Sequence, residues 1–137
     1  MSDADVAVIR AASAAFSARD VDAMLTNYAP DAVVVDHSGL GLGEMHGRDE
    51  LRPYYQGIVG SASAMREDFR VVEDRGDGTV VTDCELWARL PSDPTGNGIT
   101  ATYALLITVR DGLIRRLEIH ADAPAALAAA DVDRSEN

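Results

Sequence analysis

The sequence predicts an α+β domain in which N-terminal helices cover one face of a C-terminal antiparallel sheet. Two observations carry this. Apolar residues recur at helical spacing early in the chain, first Val6, Ile9 and Phe16, then Val21, Met24, Leu25 and Tyr28. From Met65 onward the period changes to two, and Gly76-Asp77-Gly78 and Asp111-Gly112 break the pattern as hairpin turns.

The elements follow in order. A first helix spans residues 3–19. Asp20 offers an N-cap to a second helix that carries Tyr28 and stops at Pro30. Residues 32–35, Ala-Val-Val-Val, read as a short buried strand ending at Asp36-His37. A loop with Gly39, Gly41 and Gly43 follows, without the lysine and helix spacing of a phosphate-binding loop. Asp49 caps a third helix with Leu51, Tyr54 or Tyr55, and Ile58 inward, and Pro53 falls near its first turn. Four long strands come next, and the loop at residues 91–98, rich in Pro, Gly and Asp, is exposed. Residues 125–130 add at most one helical turn, and residues 131–137 read as a frayed polar tail. The expectation is one domain over residues 1–137, with a partly disordered tail from about residue 123.

Composition narrows the partners. Hydrophobic residues make up 47% of 137, enough for a real core, and no apolar run approaches the ~20 residues of a membrane span. Net charge is -11, from 12 Lys+Arg against 23 Asp+Glu, a field that repels nucleic acid and anionic membrane. Nothing in the sequence supports export, so a cytoplasmic protein with a neutral small-molecule partner is expected. Cys84 is the single cysteine and reads as a small buried apolar residue.

The last hairpin allows a deduction about faces. With Asp111-Gly112 central, Arg110 pairs with Leu113 and Val109 with Ile114. A uniform count then pairs Ile107 with Arg116, Leu105 with Glu118, and Tyr103 with His120. That face is apolar on one strand and ionisable on its neighbour, as in the wall of a wet cavity; the alternative for Arg116 and Glu118 is a surface ion pair. Leu106, Leu117 and Ile119 fall on the other face, where an exposed apolar stripe would favour a homodimer. Asp36 ends a wholly apolar strand, where an ionised carboxylate is poorly solvated and usable as a base; the alternative is a strand-ending Asp bonding the next turn. His37, His46 and His120 show no recognisable ligand spacing, so no metal and no cofactor is expected.

The stretches at residues 18–22, 28–36 and 46–51, with Arg110-Asp111-Gly112-Leu113-Ile114 and Leu117-Glu118-Ile119-His120, resemble the SnoaL-like and ketosteroid-isomerase-like families. The resemblance covers about residues 6–122. It implies the cone-shaped nuclear transport factor 2-like fold. It also implies, for Asp36, the place of the isomerase base. The isomerase's oxyanion partners do not carry over, since Ala12 and Leu105 stand at those positions. In the SnoaL-like cyclases an acidic residue on the last strand is the base, which implies Glu118, with His120 two residues on. The choice between Asp36 and Glu118/His120 stays open.

The function expected is a cofactor-independent isomerase or cyclase acting by acid–base chemistry on a hydrophobic carbonyl compound. Asp36, Glu118 and His120 are the candidate catalytic residues, and Tyr28, Tyr54, Trp87, Tyr103 and Arg116 the candidate substrate contacts. One alternative is a non-catalytic ligand-binding or dimerisation module. Another is an epoxide hydrolase of the same fold, for which Asp83, Glu85 and Arg89 share parity with Trp87 but no Arg-x-Asp motif stands at the expected strand.

Overall fold

In the computed structural model, residues 2–38 and 43–135 are described, so Gly39 and Gly41 of the glycine loop lie outside the described residues. The order is α1 (Ser2–Ser17), α2 (Val21–Leu25), β1 (Tyr28–Asp36), β2 (Glu44–His46), α3 (Gly47–Gly60), β3 (Ala64–Asp74), β4 (Thr79–Arg89), β5 (Ile99–Arg110), β6 (Leu113–His120) and α4 (Ala123–Ser135). The strands form one curved sheet in the order β2-β1-β6-β5-β4-β3. β1 runs parallel to β6, and every other pair is antiparallel. α1 packs on β3 and α3 on β1, while α4 lies against β4, β5 and β6. The α+β class and the cone-shaped, helix-covered sheet are as expected.

Helix α1 forms because Ile9, Ala12 and Phe16 make one buried stripe among alanines. Asp20 caps α2 as expected, accepting from the Ala23 amide at 3.0 Å. The helix then stops earlier than the apolar spacing suggests. The Thr26 hydroxyl and the Asn27 amide both donate to the Ala23 carbonyl, and Tyr28 opens β1 instead of closing α2. Pro30 therefore sits inside a strand, where pairing with β6 shifts between Tyr28 and Val33 and no ladder bond is asked of it. Helix α3 starts at Gly47, two residues before Asp49, with Glu50 reaching back to the His46 amide at 2.8 Å. Pro53 accordingly lies in its second turn.

The β5–β6 hairpin decides the site. Asp111 and Gly112 have φ of 54° and 75°, the paired left-handed conformation a two-residue turn needs. Arg110 pairs with Leu113 and Val109 with Ile114, as the turn dictates. The next pair is Thr108 with Arg116, so Arg115 is a β-bulge. Every later residue of β6 is displaced by one. Ile107 pairs with Leu117 and Leu105 with Ile119, and this set faces the helices. Thr108–Arg116, Leu106–Glu118 and Ala104–His120 face the other way. The uniform register, with Tyr103 beside His120, is thus corrected. Without the bulge, Arg116, Glu118 and His120 would follow Ile114 into the core; with it, Ile114, Leu117 and Ile119 do.

The outer face is not an open apolar stripe either. Leu117 and Ile119 point inward, and Leu106 packs with Val81 and Ala104 beneath Ala126 and Ala130 of α4. Residues from about 123, expected to be a partly disordered tail, form α4 as far as Ser135, and Ala126 is 0% exposed. The ground for a dimer through that stripe is removed.

Candidate functional site

Between α1, α3 and the inner sheet face lies a cavity of about 500 Å³. Its walls are mostly apolar: Ile9, Ala12 and Phe16 of α1, Ile58 of α3, and Phe69, Leu86, Leu105, Ile107, Leu117 and Ile119 of the sheet. A few polar groups converge in it, the usual make-up of a small-molecule site.

The central one is Glu67 on β3. Its parity with Met65 and Phe69 turns it inward. The Ser13 hydroxyl donates to Oε1 at 2.7 Å, and the Tyr103 hydroxyl donates to Oε2. The Glu67 amide donates to Ser17 Oγ at 2.8 Å, which fixes β3 to α1. Glu67 is half-buried and lines the cavity. Burial raises its carboxyl above the ordinary range, and the bonds from Tyr103 and Ser13 offset this only in part. Burial, then the Glu67 charge, push the Tyr103 phenol well up.

Asp36 stands at the end of β1 and lines the same cavity with Ser38. Its Oδ1 accepts from the Ser38 amide at 2.8 Å and from the Ser38 hydroxyl at 2.5 Å. Asp36 thus lines the cavity and also bonds the turn that follows it. Tyr28, Tyr54 and Tyr55 line the cavity with the two carboxyl groups. The hydroxyls of Tyr28 and Tyr55 are 3.4 Å apart, and the rings of Tyr54 and Tyr55 meet edge to face at 4.8 Å. Burial pushes the Tyr54 phenol up to about 12, with the Asp36 charge adding to it. Burial, then the Tyr55 bond and the Glu67 charge, act on Tyr28, which is raised on balance. Cys84 also faces the cavity, buried, with its thiol pushed up to about 12 by burial.

Of the expected site residues, Asp36, Tyr28, Tyr54 and Tyr103 line the cavity. Glu118, His120 and Arg116 do not, because the Arg115 bulge turns them to the opposite face. Trp87 is also absent from the cavity. On β4 it alternates with the inward Cys84 and Leu86, and its indole donates to the Asn97 carbonyl at 3.0 Å under the 91–98 loop. Asp83, Glu85 and Arg89 share that outward parity, and Asp83 pairs with Arg70 at the surface. Among the described residues no arginine lines the cavity. Sequence reasoning passed over Glu67, although its inward parity was readable from Met65 and Phe69.

On the outer face His37, Glu118 and His120 meet. Val35 pairs with Glu118 and Asp36 with Ile119 in the parallel β1–β6 ladder, which sets His37 beside His120. The two imidazoles stack, with centroids 4.6 Å apart and planes at 17°. Glu118 Oε1 lies 3.0 Å from His37 Nε2, and Oε2 accepts from Arg116 Nε at 3.0 Å. Burial raises the Glu118 carboxyl, but the bond to Arg116 and its charge, with His37 and His120, outweigh this and hold it below the ordinary range.

No helix among the described residues is long and apolar enough to cross a membrane. No curated protein matches the chain significantly. Solved structures show the same fold. TerC, co-crystallised with polyporic acid, is 24% identical with a TM-score of 0.71, covering 91% of this chain and 96% of its own. AusH from Aspergillus nidulans is 16% identical, with a TM-score of 0.76 and coverage of 90% and 86%. A Catenulispora acidiphila protein with a ketosteroid isomerase-like fold, in complex with trimethylamine, is 19% identical, with a TM-score of 0.70 and coverage of 88% and 89%. The family model for the SnoaL-like domain matches residues 9–117, most of the chain. An α+β cone with a lined cavity, and a sequence that fits that family over residues 9–117, lead to one assignment: the chain belongs to the SnoaL-like domain family.

Proposed function

We propose that this protein is a cofactor-independent isomerase or cyclase that moves protons on a hydrophobic, polyketide- or steroid-like carbonyl compound. The observation that carries this reading is a pair of carboxyl groups, Asp36 and Glu67, placed under unlike conditions in one apolar cavity. Asp36, held by Ser38, is the base that removes a proton from the carbon next to the carbonyl. Glu67 and Tyr103 form the donor. With Glu67 protonated, the pair holds one proton more than the bond between them uses, and that proton meets the developing enolate oxygen. The enolate then takes a proton at another carbon, which shifts the double bond, or attacks a second carbonyl, which closes a ring. Tyr28, Tyr54 and Tyr55 supply the aromatic wall. The epoxide-hydrolase alternative has no support from the cavity, whose described lining holds no arginine.

The test is deuterium uptake from heavy water at the acidic carbon of β-tetralone, a fused-ring ketone. It reads proton abstraction without requiring the natural substrate. Asp36→Asn should slow the enzyme-dependent exchange by about 10²–10⁴-fold, the usual contribution of a positioned base. Binding of β-naphthol, read by fluorescence, should persist. A second reading, a non-catalytic ligand-binding module, draws on the Tyr103 hydroxyl being already committed to Glu67. It replaces the first if Asp36→Asn and Glu67→Gln both leave exchange unchanged while β-naphthol still binds.

A further inference from the structure

We propose that His37, His120 and Glu118 form a binding site for a divalent transition-metal ion of the zinc class, on the sheet face opposite the cavity. The three side chains each offer one ligand atom, and these atoms lie within 4.8 Å of one another. Two imidazoles and one carboxylate are a recurrent donor set for zinc and for non-haem iron. The spacing fits. Metal–ligand bonds of about 2.0–2.1 Å at tetrahedral angles put neighbouring donor atoms about 3.3 Å apart. Glu118 Oε1 lies 3.0 Å from His37 Nε2 and 3.3 Å from His120 Nε2.

A second observation points to a ligand. His120 is 7% exposed, and among the described residues its Nε2 has no hydrogen-bond partner. The 3.3 Å approach to Glu118 is out of alignment for a hydrogen bond, so a buried nitrogen aims into the cluster unsatisfied. A cation there would satisfy it. Arg116 fits the role of an outer-shell residue. It holds Glu118 Oε2 and so leaves Oε1 turned to both histidines. The His37 side chain is 46% exposed, which gives an ion a way in and makes His37 the ligand that adjusts. Three protein donors leave a fourth position for water or a small anion. The net charge of -11 draws cations to the surface. The site is built from residues 37, 118 and 120, which only the parallel β1–β6 pairing unites.

The full chain, freed of metal by dialysis against chelator, is titrated with Zn²⁺ by calorimetry and with Co²⁺ by visible absorption. One ion per chain is expected, with the Co²⁺ band of a low-coordinate nitrogen–oxygen site. His37→Ala removes a half-exposed ligand and should weaken binding by at least about tenfold, the least that even outer-shell changes cost metal sites. His120→Asn and Glu118→Gln should do the same, with folding checked by circular dichroism. His46→Ala, at an exposed histidine 3.5 Å from Glu44, should leave binding unchanged. The proposal is overturned if no saturable binding occurs, if folded His37→Ala binds like the parent, or if His46→Ala abolishes binding.

Discussion

Replacing Tyr103 by phenylalanine isolates the bond at the heart of the cavity. The ring and its packing stay, and only the hydroxyl that donates to Glu67 is lost. Glu67 then keeps a single side-chain donor, Ser13, at 2.7 Å. A hydrogen bond to a charged group contributes about 1.5–3 kcal/mol, and one between neutral groups about 0.5–1.5 kcal/mol. The variant should therefore be about 1.5–3 kcal/mol less stable while Glu67 is ionised, and the deficit should fall by about half once Glu67 is protonated. At roughly 4 °C per kcal/mol for a chain of this size, melting drops by about 6–12 °C in the first condition. Urea unfolding of both proteins at a series of pH values, from alkaline to acid, measures the difference as the raised carboxyl takes up its proton. The reasoning fails if the variant matches the parent at the alkaline end, or if the deficit is the same at every pH.

Three further outcomes follow from the same geometry. Glu67 is raised in the folded chain, so the folded state holds a proton that the unfolded state has already released. Its contribution is full below the ordinary carboxylate range and is lost as pH rises through the raised value. Glu67→Gln should accordingly gain stability over the parent with rising pH, and parallel curves would contradict this. Cys84, with a thiol pushed to about 12 by burial, should resist an aromatic disulfide reagent in the native protein and react at once in denaturant; rapid native labelling would show an open thiol. Deleting Arg115 removes the bulge and turns Arg116, Glu118 and His120 toward the cavity, at about 1–3 kcal/mol each. Summed over three groups this rivals the ~5–15 kcal/mol that holds a domain together, and the protein should fail to fold. By contrast, Arg115→Ala loses only exposed pairs at 3.6 Å and 3.5 Å from Asp31 and Asp111 and should cost under about 1 kcal/mol. A deletion variant that melts like the parent would refute the role of the bulge.

What was legible in the sequence was local. The α1 stripe, the Asp20 cap, the Asp111-Gly112 turn and the long strands each rest on residues a few positions apart. Tyr28 misled because its spacing continues the α2 pattern, while the side chains of Thr26 and Asn27 end that helix first. The faces of β6 depended on one residue. Doubled Arg115-Arg116 interrupts an alternation that Ile114, Leu117 and Ile119 otherwise keep, and an uninterrupted count sent Glu118 and His120 to the wrong side. Glu67 was within reach of the same period-two reading that placed Phe69 inward. The His37–Glu118–His120 cluster was not, because it depends on a parallel pairing between the first strand and the last.

Asp36 and His37 are consecutive residues whose side chains leave β1 on opposite sides of the sheet. One peptide unit joins them, and it is clamped, with the Asp36 amide bonded to Gly43 and the His37 amide to Ile119. The backbone is thus held from both edges at this point, and each side chain leaves it from a fixed origin, the carboxylate toward the cavity and the imidazole toward the outer face.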